Sequence, residues 1–218
     1  MQRLKAQLHY CYSGGRAIFL DAADGRYFCL PAVGESAFLA FLNGSANDDQ
    51  VDWLQSKNIV VEANDRRYPN SHSEQSLPRP SEQLQLGARP AVSDILEVTT
   101  ARITAMALLK CRGFGWASRS IIAAKARREA GDEGADSQIV AEIASAFQST
   151  DLLMGKTNRC LPRSLAFLRV CIARGHYPSL VIGIRTNPFT AHAWVQMGGK
   201  VLNDSVDHVR VFTPIMVL

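Results

Sequence analysis

Cys160, His192 and Asp204 are the residues of this 218-residue chain whose types and order could carry nucleophilic chemistry. Cys160 is followed by Leu161, Pro162, Arg163 and Ser164. Proline lacks an N–H and clashes one turn back, so Pro162 belongs in a first helical turn, which puts Cys160 at or next to the N-cap. Leu161, Leu165, Leu168 and Ile172 then repeat at helical spacing, and Gly175 stops the helix. A thiol at a helix N-terminus faces unpaired N–H groups and the positive end of the dipole, both of which favour its nucleophilic thiolate. Cys171 and Cys111, inside apolar helical runs, read as buried structural cysteines.

The elements that follow would position a base. Ser179 to Ile184 is nearly all apolar and too short for a helix, which suits a strand buried on both faces. His192 to Met197 alternates with period two, so His192, Trp194 and Gln196 share a face and Ala193, Val195 and Met197 the other. Gly198-Gly199 marks a tight turn, and Lys200 to Asp204 returns as the next strand. Histidine beside a cysteine-bearing helix, with an acid on the neighbouring strand, is a base with its orienting group. The pleat adds a condition. A two-residue Gly198-Gly199 loop would set Asp204 opposite Ala193, its side chain turned away from His192. A three-residue loop or a β-bulge is therefore expected here.

The runs CLPRSLAFLR, LVIGI, AHAWVQ and LND, in that order, resemble the leader peptidase of lasso-peptide biosynthesis, the B protein, over roughly residues 93–218. The resemblance implies a transglutaminase-like, papain-related fold and a catalytic triad of Cys160, His192 and Asp204. It implies that a ribosomally made precursor peptide loses its leader, freeing the core N-terminus for a partner, an asparagine-synthetase-like lasso cyclase. The backbone N–H of Cys160 would be half of an oxyanion hole. No glutamine closely precedes Cys160 as in papain, and Asn158 is the candidate for the second donor. Spacing alone supports cysteine-dependent acyl transfer, which leaves an amine acyltransferase of transglutaminase type open. A non-catalytic adaptor that presents a leader is the other alternative, against which the intact Cys, His and Asp argue.

Composition fits a cytoplasmic enzyme. Hydrophobic content of 47% is ordinary, and net charge +4 is too modest to imply nucleic acid. No apolar window has the length of a membrane span, and MQRLKAQLHY lacks a signal-peptide core. Five cysteines without a CxxC pair argue against a disulfide framework and a zinc site, and with no P-loop or glycine-rich nucleotide fingerprint neither metal nor cofactor is expected.

The expected fold class is α+β, in two domains. Residues 1–63 read as a strand over Leu4–Tyr10, a second over Ala17–Leu20, an Asp24-Gly25 hairpin and a third over Arg26–Leu30. Helices over Glu35–Asn43 and Asp48–Ser56, the latter capped by Asp48, and a strand at Ile59–Val61 complete this part. That order is similar to a winged-helix module, the RiPP recognition element, which implies leader binding. An extended peptide could add to the edge at Tyr27, Phe28, Cys29 and Leu30, with Trp53 and Leu54 as the opposite wall. Residues 64–92, with Pro69, Pro78, Pro80 and Pro90, read as a linker. Residues 93–218 are expected to be helices followed by an antiparallel sheet. The helices run from Ser93, from Trp116 after Gly113 and Gly115, and over Ile139–Met154. Seven basic residues between Arg102 and Arg128 read as a solvated face or a docking surface for an acidic leader or the cyclase.

Overall fold

The computed structural model describes residues 2–62, 77–87, 89–126, 137–154 and 159–218. It divides into two units, Met1–Ser76 and Leu77–Leu218.

The first unit runs β1 (Gln2–Leu4), β2 (Leu8–Ser13), β3 (Arg16–Asp21), β4 (Arg26–Cys29), α1 (Ala32–Leu42), α2 (Asp48–Ser56) and β5 (Val60–Glu62). β2, β3 and β4 form an antiparallel meander. Gly14 and Gly15, with φ of 62° and 78°, supply the left-handed conformations its first turn needs. The single strand expected over Leu4–Tyr10 is two. The chain turns at Gln7 (φ 64°), so β1 pairs with β5 while β2 pairs with β3. The cap of α2 is Asn47 rather than Asp48. Its side chain accepts from the Gln50 N–H at 2.9 Å, and the Gln50 side chain accepts the Asn47 N–H at 3.0 Å. Such a reciprocal cap stabilises a helix start by about 1 kcal/mol.

Leu8, Phe19, Phe38 and Leu54 centre the core of this unit, and Phe28 stacks on Phe19 at 5.2 Å. Leu30 and Leu54, expected at a peptide-binding surface, are instead core residues, 5% and 0% exposed. Trp53 is half-buried against α1, where a Cβ on Gly34 would lie 2.2 Å from its ring. Tyr27, Phe28 and Cys29 do lie on β4, which is an edge of the meander.

The second unit contains β6 (Glu82–Gln83), α3 (Val92–Ala126), α4 (Ser137–Met154), α5 (Cys160–Ala173), β7 (Ser179–Thr186), β8 (Phe189–Met197), β9 (Lys200–Val201), α6 (Val206–Val209) and β10 (Thr213–Val217). Gly113, with φ 73°, breaks α3 into two helical pieces, while Gly115 is buried within the second. α5 packs on α3 and α4 and against β7 and β8, burying Leu165, Phe167 and Leu168. The sheet order is β10-β7-β8-β9-β6. It is antiparallel except at one edge, where β6 precedes the helices and lies parallel to β9. The expectation of helices followed by a wholly antiparallel sheet is corrected there.

The same strand corrects the linker. Residues 63–76 lie outside the described residues, whereas 77–87 are fastened to the sheet. The Pro78 carbonyl accepts from Gln196 Nε2 at 2.7 Å, the Pro80 carbonyl from Arg210 Nε at 3.0 Å, and the Ser81 N–H donates to the Gly199 carbonyl at 2.9 Å. Gly199 permits this approach, because a Cβ there would sit 2.6 Å from Ser81 Oγ. The basic stretch is likewise not one solvated face. Arg102 is 3% exposed and Lys125 donates to the Leu218 carbonyl at 2.9 Å, while Arg127 and Arg128 lie outside the described residues. Cys171 is buried as expected, but Cys111 is exposed. Among the described residues, no helix is long and apolar enough to cross a membrane.

Candidate active site

Cys160 is the first residue of α5, with Arg159 as an N-cap that makes no side-chain cap and Pro162 within the first turn. The thiol is half-buried, and burial alone would push it up from its ordinary value of 9.0. A hydrogen bond to His192, the backbone N–H groups of Ala193 and Leu161, and the imidazole's charge outweigh burial and lower it. Cys171, buried on the same helix without those partners, is pushed up to about 12. The two cysteines of this helix thus sit in opposite electrostatic settings.

His192 Nε2 donates to Asp204 Oδ2 at 2.6 Å, which leaves Nδ1 for the thiol. Burial works against the imidazolium, yet the hydrogen bonds and negative charges of Asp204 and Cys160 raise His192 from 6.5 to about 9. Asp204 is also disfavoured by burial as an anion. His192, the Ser205 N–H at 2.7 Å and His208 Nδ1 at 3.1 Å lower it from 3.8 to about 2. The three groups together favour a thiolate–imidazolium pair backed by a carboxylate.

The route by which Asp204 reaches His192 differs from the expected odd loop. Met197 faces Lys200 and Gln196 faces Val201, so Gly198-Gly199 is a two-residue loop in regular register. Continued pairing would have turned Asp204 away. The backbone pairing instead ends with the Leu202 N–H donating to the Val195 carbonyl at 2.9 Å, and side chains take over from there. Asn203 Oδ1 accepts the Val195 N–H at 2.7 Å, and its Nδ2 donates to Ser164 Oγ at 2.9 Å. Ser164 Oγ in turn donates to the Ala193 carbonyl at 2.9 Å. Arg163 Nη1 donates to the Asn203 carbonyl. This clamp fastens the first turns of α5 to the middle of β8 and bends residues 202–204 so that the carboxylate returns to the imidazole.

Arg163 is itself held. Its Nε and Nη2 donate to the two oxygens of Asp151 at 3.0 and 2.8 Å, and Arg102 Nη1 donates to Asp151 Oδ1 at 2.8 Å and to Thr150 Oγ1 at 2.9 Å. A charge network beneath the helix that carries Cys160 thus joins α3, α4 and α5. On the other side, His192 lies among the rings of Phe212 at 5.1 Å, Trp194 at 6.1 Å and His208 at 4.5 Å. Gly183, directly opposite His192 in β7, leaves room for Trp194. A Cβ there would be 2.8 Å from two atoms of that ring and 2.9 Å from the Phe212 Cβ.

Cys160, His192 and Asp204 open into a cleft of about 350 Å³, which Gln83, Leu84 and Leu86 of the 77–87 strap wall on one side. Asn158, the expected second oxyanion donor, lies outside the described residues. His192, Asp204 and His208 offer donor atoms within 4.8 Å of one another and could chemically hold a cation. Two ligands of one tetrahedral ion sit about 3.3 Å apart at the usual bond lengths. The 2.6 Å His192–Asp204 separation is that of a hydrogen bond instead. Sequence reasoning missed Ser164, Arg163, Asn203 as a clamp, Asp151 and His208; of these, only the spacing of Asp204 and His208, one helical turn apart, was a local signal.

A family model described as the transglutaminase-like superfamily matches residues 75–217, nearly the whole second unit. Over 46 residues the chain is 48% identical to the microcin J25-processing protein McjB of Escherichia coli. That segment is 21% of this chain and spans 22% of the length of that relative. No solved structure matches the chain.

Proposed function

The chain belongs to the transglutaminase-like superfamily, and from that premise we propose that it is a cysteine peptidase that removes the leader from a ribosomally made lasso-peptide precursor. The observation that carries the reading is Cys160 at the start of α5, hydrogen-bonded to an imidazole whose other nitrogen rests on Asp204. The stretch of identity with a microcin-processing protein supports the substrate class, as does the resemblance of CLPRSLAFLR, AHAWVQ and LND to leader peptidases.

In this reading the Cys160 thiolate attacks the carbonyl carbon of the last leader residue. The oxyanion is met by the Cys160 backbone N–H, which at the first helical position has no partner within the helix. The His192 imidazolium gives its proton to the departing amine, the core's new N-terminus. His192 then takes a proton from water, which attacks the thioester and releases the leader acid and the free thiol. Asp204 holds the tautomer and stabilises the cation throughout. The Asn203–Ser164 clamp and Arg163 keep the partners in register while the thioester turns over.

The first unit is assigned the leader. Its edge strand β4 can pair with an extended peptide, in the manner of a winged-helix recognition module. Delivery of the freed core to a lasso cyclase in the cytoplasm completes the reading.

Hydrolysis and amine acyl transfer share these steps up to the thioester, and product mass separates them. Incubation with a leader–core precursor should give two products whose masses add to the precursor plus one water. A leader joined to an added amine, with no free acid, would move the assignment to acyl transfer.

A further inference from the structure

We infer that His208 is a positioning residue of the catalytic centre, a fourth member that holds the Asp204 carboxylate in the orientation His192 needs. The inference rests on the peptidase reading for its consequence and on geometry for its substance. A carboxylate with one oxygen on a base is free to turn about its broad terminal torsion unless its other oxygen is tied. Here Oδ2 carries His192 at 2.6 Å, while Oδ1 accepts the Ser205 N–H at 2.7 Å and His208 Nδ1 at 3.1 Å. Ser205 N–H comes from the adjacent residue and moves with Asp204. His208 is anchored separately and can hold the plane.

That anchor is built by α6. Ser205 caps it, its Oγ accepting the His208 N–H at 3.3 Å, and Val209 is buried beside Trp194 and Phe212. One turn of helix therefore carries the imidazole back over Asp204. The ring meets Phe212 edge-on at 5.7 Å and lies 4.5 Å from the His192 ring, at the mouth of the same cleft. Because a carboxylate only accepts, His208 Nδ1 bears the proton in this contact.

The test compares His208→Leu with His208→Asn, two side chains of similar size. The asparagine Nδ2 stands as many bonds from Cβ as histidine Nδ1 and restores the donor; leucine does not. His208 is half-exposed, and unfolding midpoints identify any variant that fails to fold. Two rates are read, cleavage of a leader–core peptide and alkylation of Cys160 by iodoacetamide at neutral pH. Loss of a hydrogen bond to a charged group should lower kcat and the alkylation rate about tenfold in His208→Leu, with KM within about twofold. His208→Asn should stay within about threefold of the unaltered protein in both. Unaltered rates in His208→Leu, or equal losses in the two folded variants, would overturn the inference. A folded leucine variant is not essential, since an asparagine variant as impaired as Cys160→Ala would overturn it alone. Failure of the peptidase reading looks different: the unaltered protein would cleave nothing while the alkylation rates still separate Leu from Asn.

Discussion

Asp151→Asn tests whether the charge network beneath α5 holds the site together. Asp151 is buried and accepts from Arg102 on α3 and, through both oxygens, from Arg163 on α5. Asparagine keeps the size but has one acceptor oxygen, so an N–H of its amide is turned toward a guanidinium. Arg102, 3% exposed, would keep its charge and its bond to Thr150 but lose the carboxylate. Burial already lowers its pKa, and the charge and hydrogen bond of Asp151 are what oppose that. Breaking a buried ion pair by removing one partner costs about 3–5 kcal/mol. With a urea slope of about 2 kcal/mol per molar, the midpoint should fall by about 1.5–2.5 M. Tryptophan fluorescence in a Trp53→Phe background reads the second unit through Trp116 and the buried Trp194. Loosening Arg163 also frees the Asn203 carbonyl beside Asp204, so kcat should fall in protein still folded at low urea. A midpoint within about 0.5 M of the unaltered protein, about 1 kcal/mol on the same slope, would refute the reasoning.

The pH profile of cleavage should be bell-shaped. The thiolate–imidazolium pair is lost on the alkaline side as pH rises through about 9, where His192 deprotonates, and on the acid side below the thiol's ordinary range. Asp204→Asn should bring the alkaline limb down; an unmoved limb would detach Asp204 from His192. The same signs apply to stability. The His192 contribution is full below 6.5 and lost as pH rises through about 9, and that of Asp204 is present above 3.8 and lost as pH falls through about 2. Gly183→Ala forces a methyl to within 3 Å of Trp194 and Phe212, which should destabilise by about 1–3 kcal/mol and lower kcat through the displaced His192. Unchanged values of both would show that the wall yields freely. If a leader peptide adds to β4, hydrogen exchange of the Arg26–Cys29 amides should slow on binding; tight binding without protection there would place the leader elsewhere.

The setting of Cys160 was legible because it is local. Pro162 and the leucine spacing define α5 and put Cys160 at its start, and alternation gives β8 with His192 on a defined face. Asp204 was found but its route was not. The parity argument assumed that pairing continues past Leu202, whereas Asn203 substitutes an amide side chain for the next backbone bond. The strap at 77–87 looked like linker because prolines and polar residues dominate it. Its value lies in backbone carbonyls, such as those of Pro78 and Pro80, which composition does not display. Arg102 and Asp151, 49 positions apart, meet only after three helices have packed, so a buried ion pair read as a solvated charge. Leu30 and Leu54 failed as surface residues for the opposite reason: apolar side chains flanking an edge strand and lining a helix are first claimed by the core.

The most direct test of the account is to stop the reaction with a leader–core peptide in acid and map the enzyme for covalent adducts. The account predicts a leader-sized acyl group on Cys160, discharged on return to neutral pH and absent from Cys160→Ala, which cleaves nothing. An acyl group on another residue, or cleavage by Cys160→Ala at an appreciable rate, would contradict it.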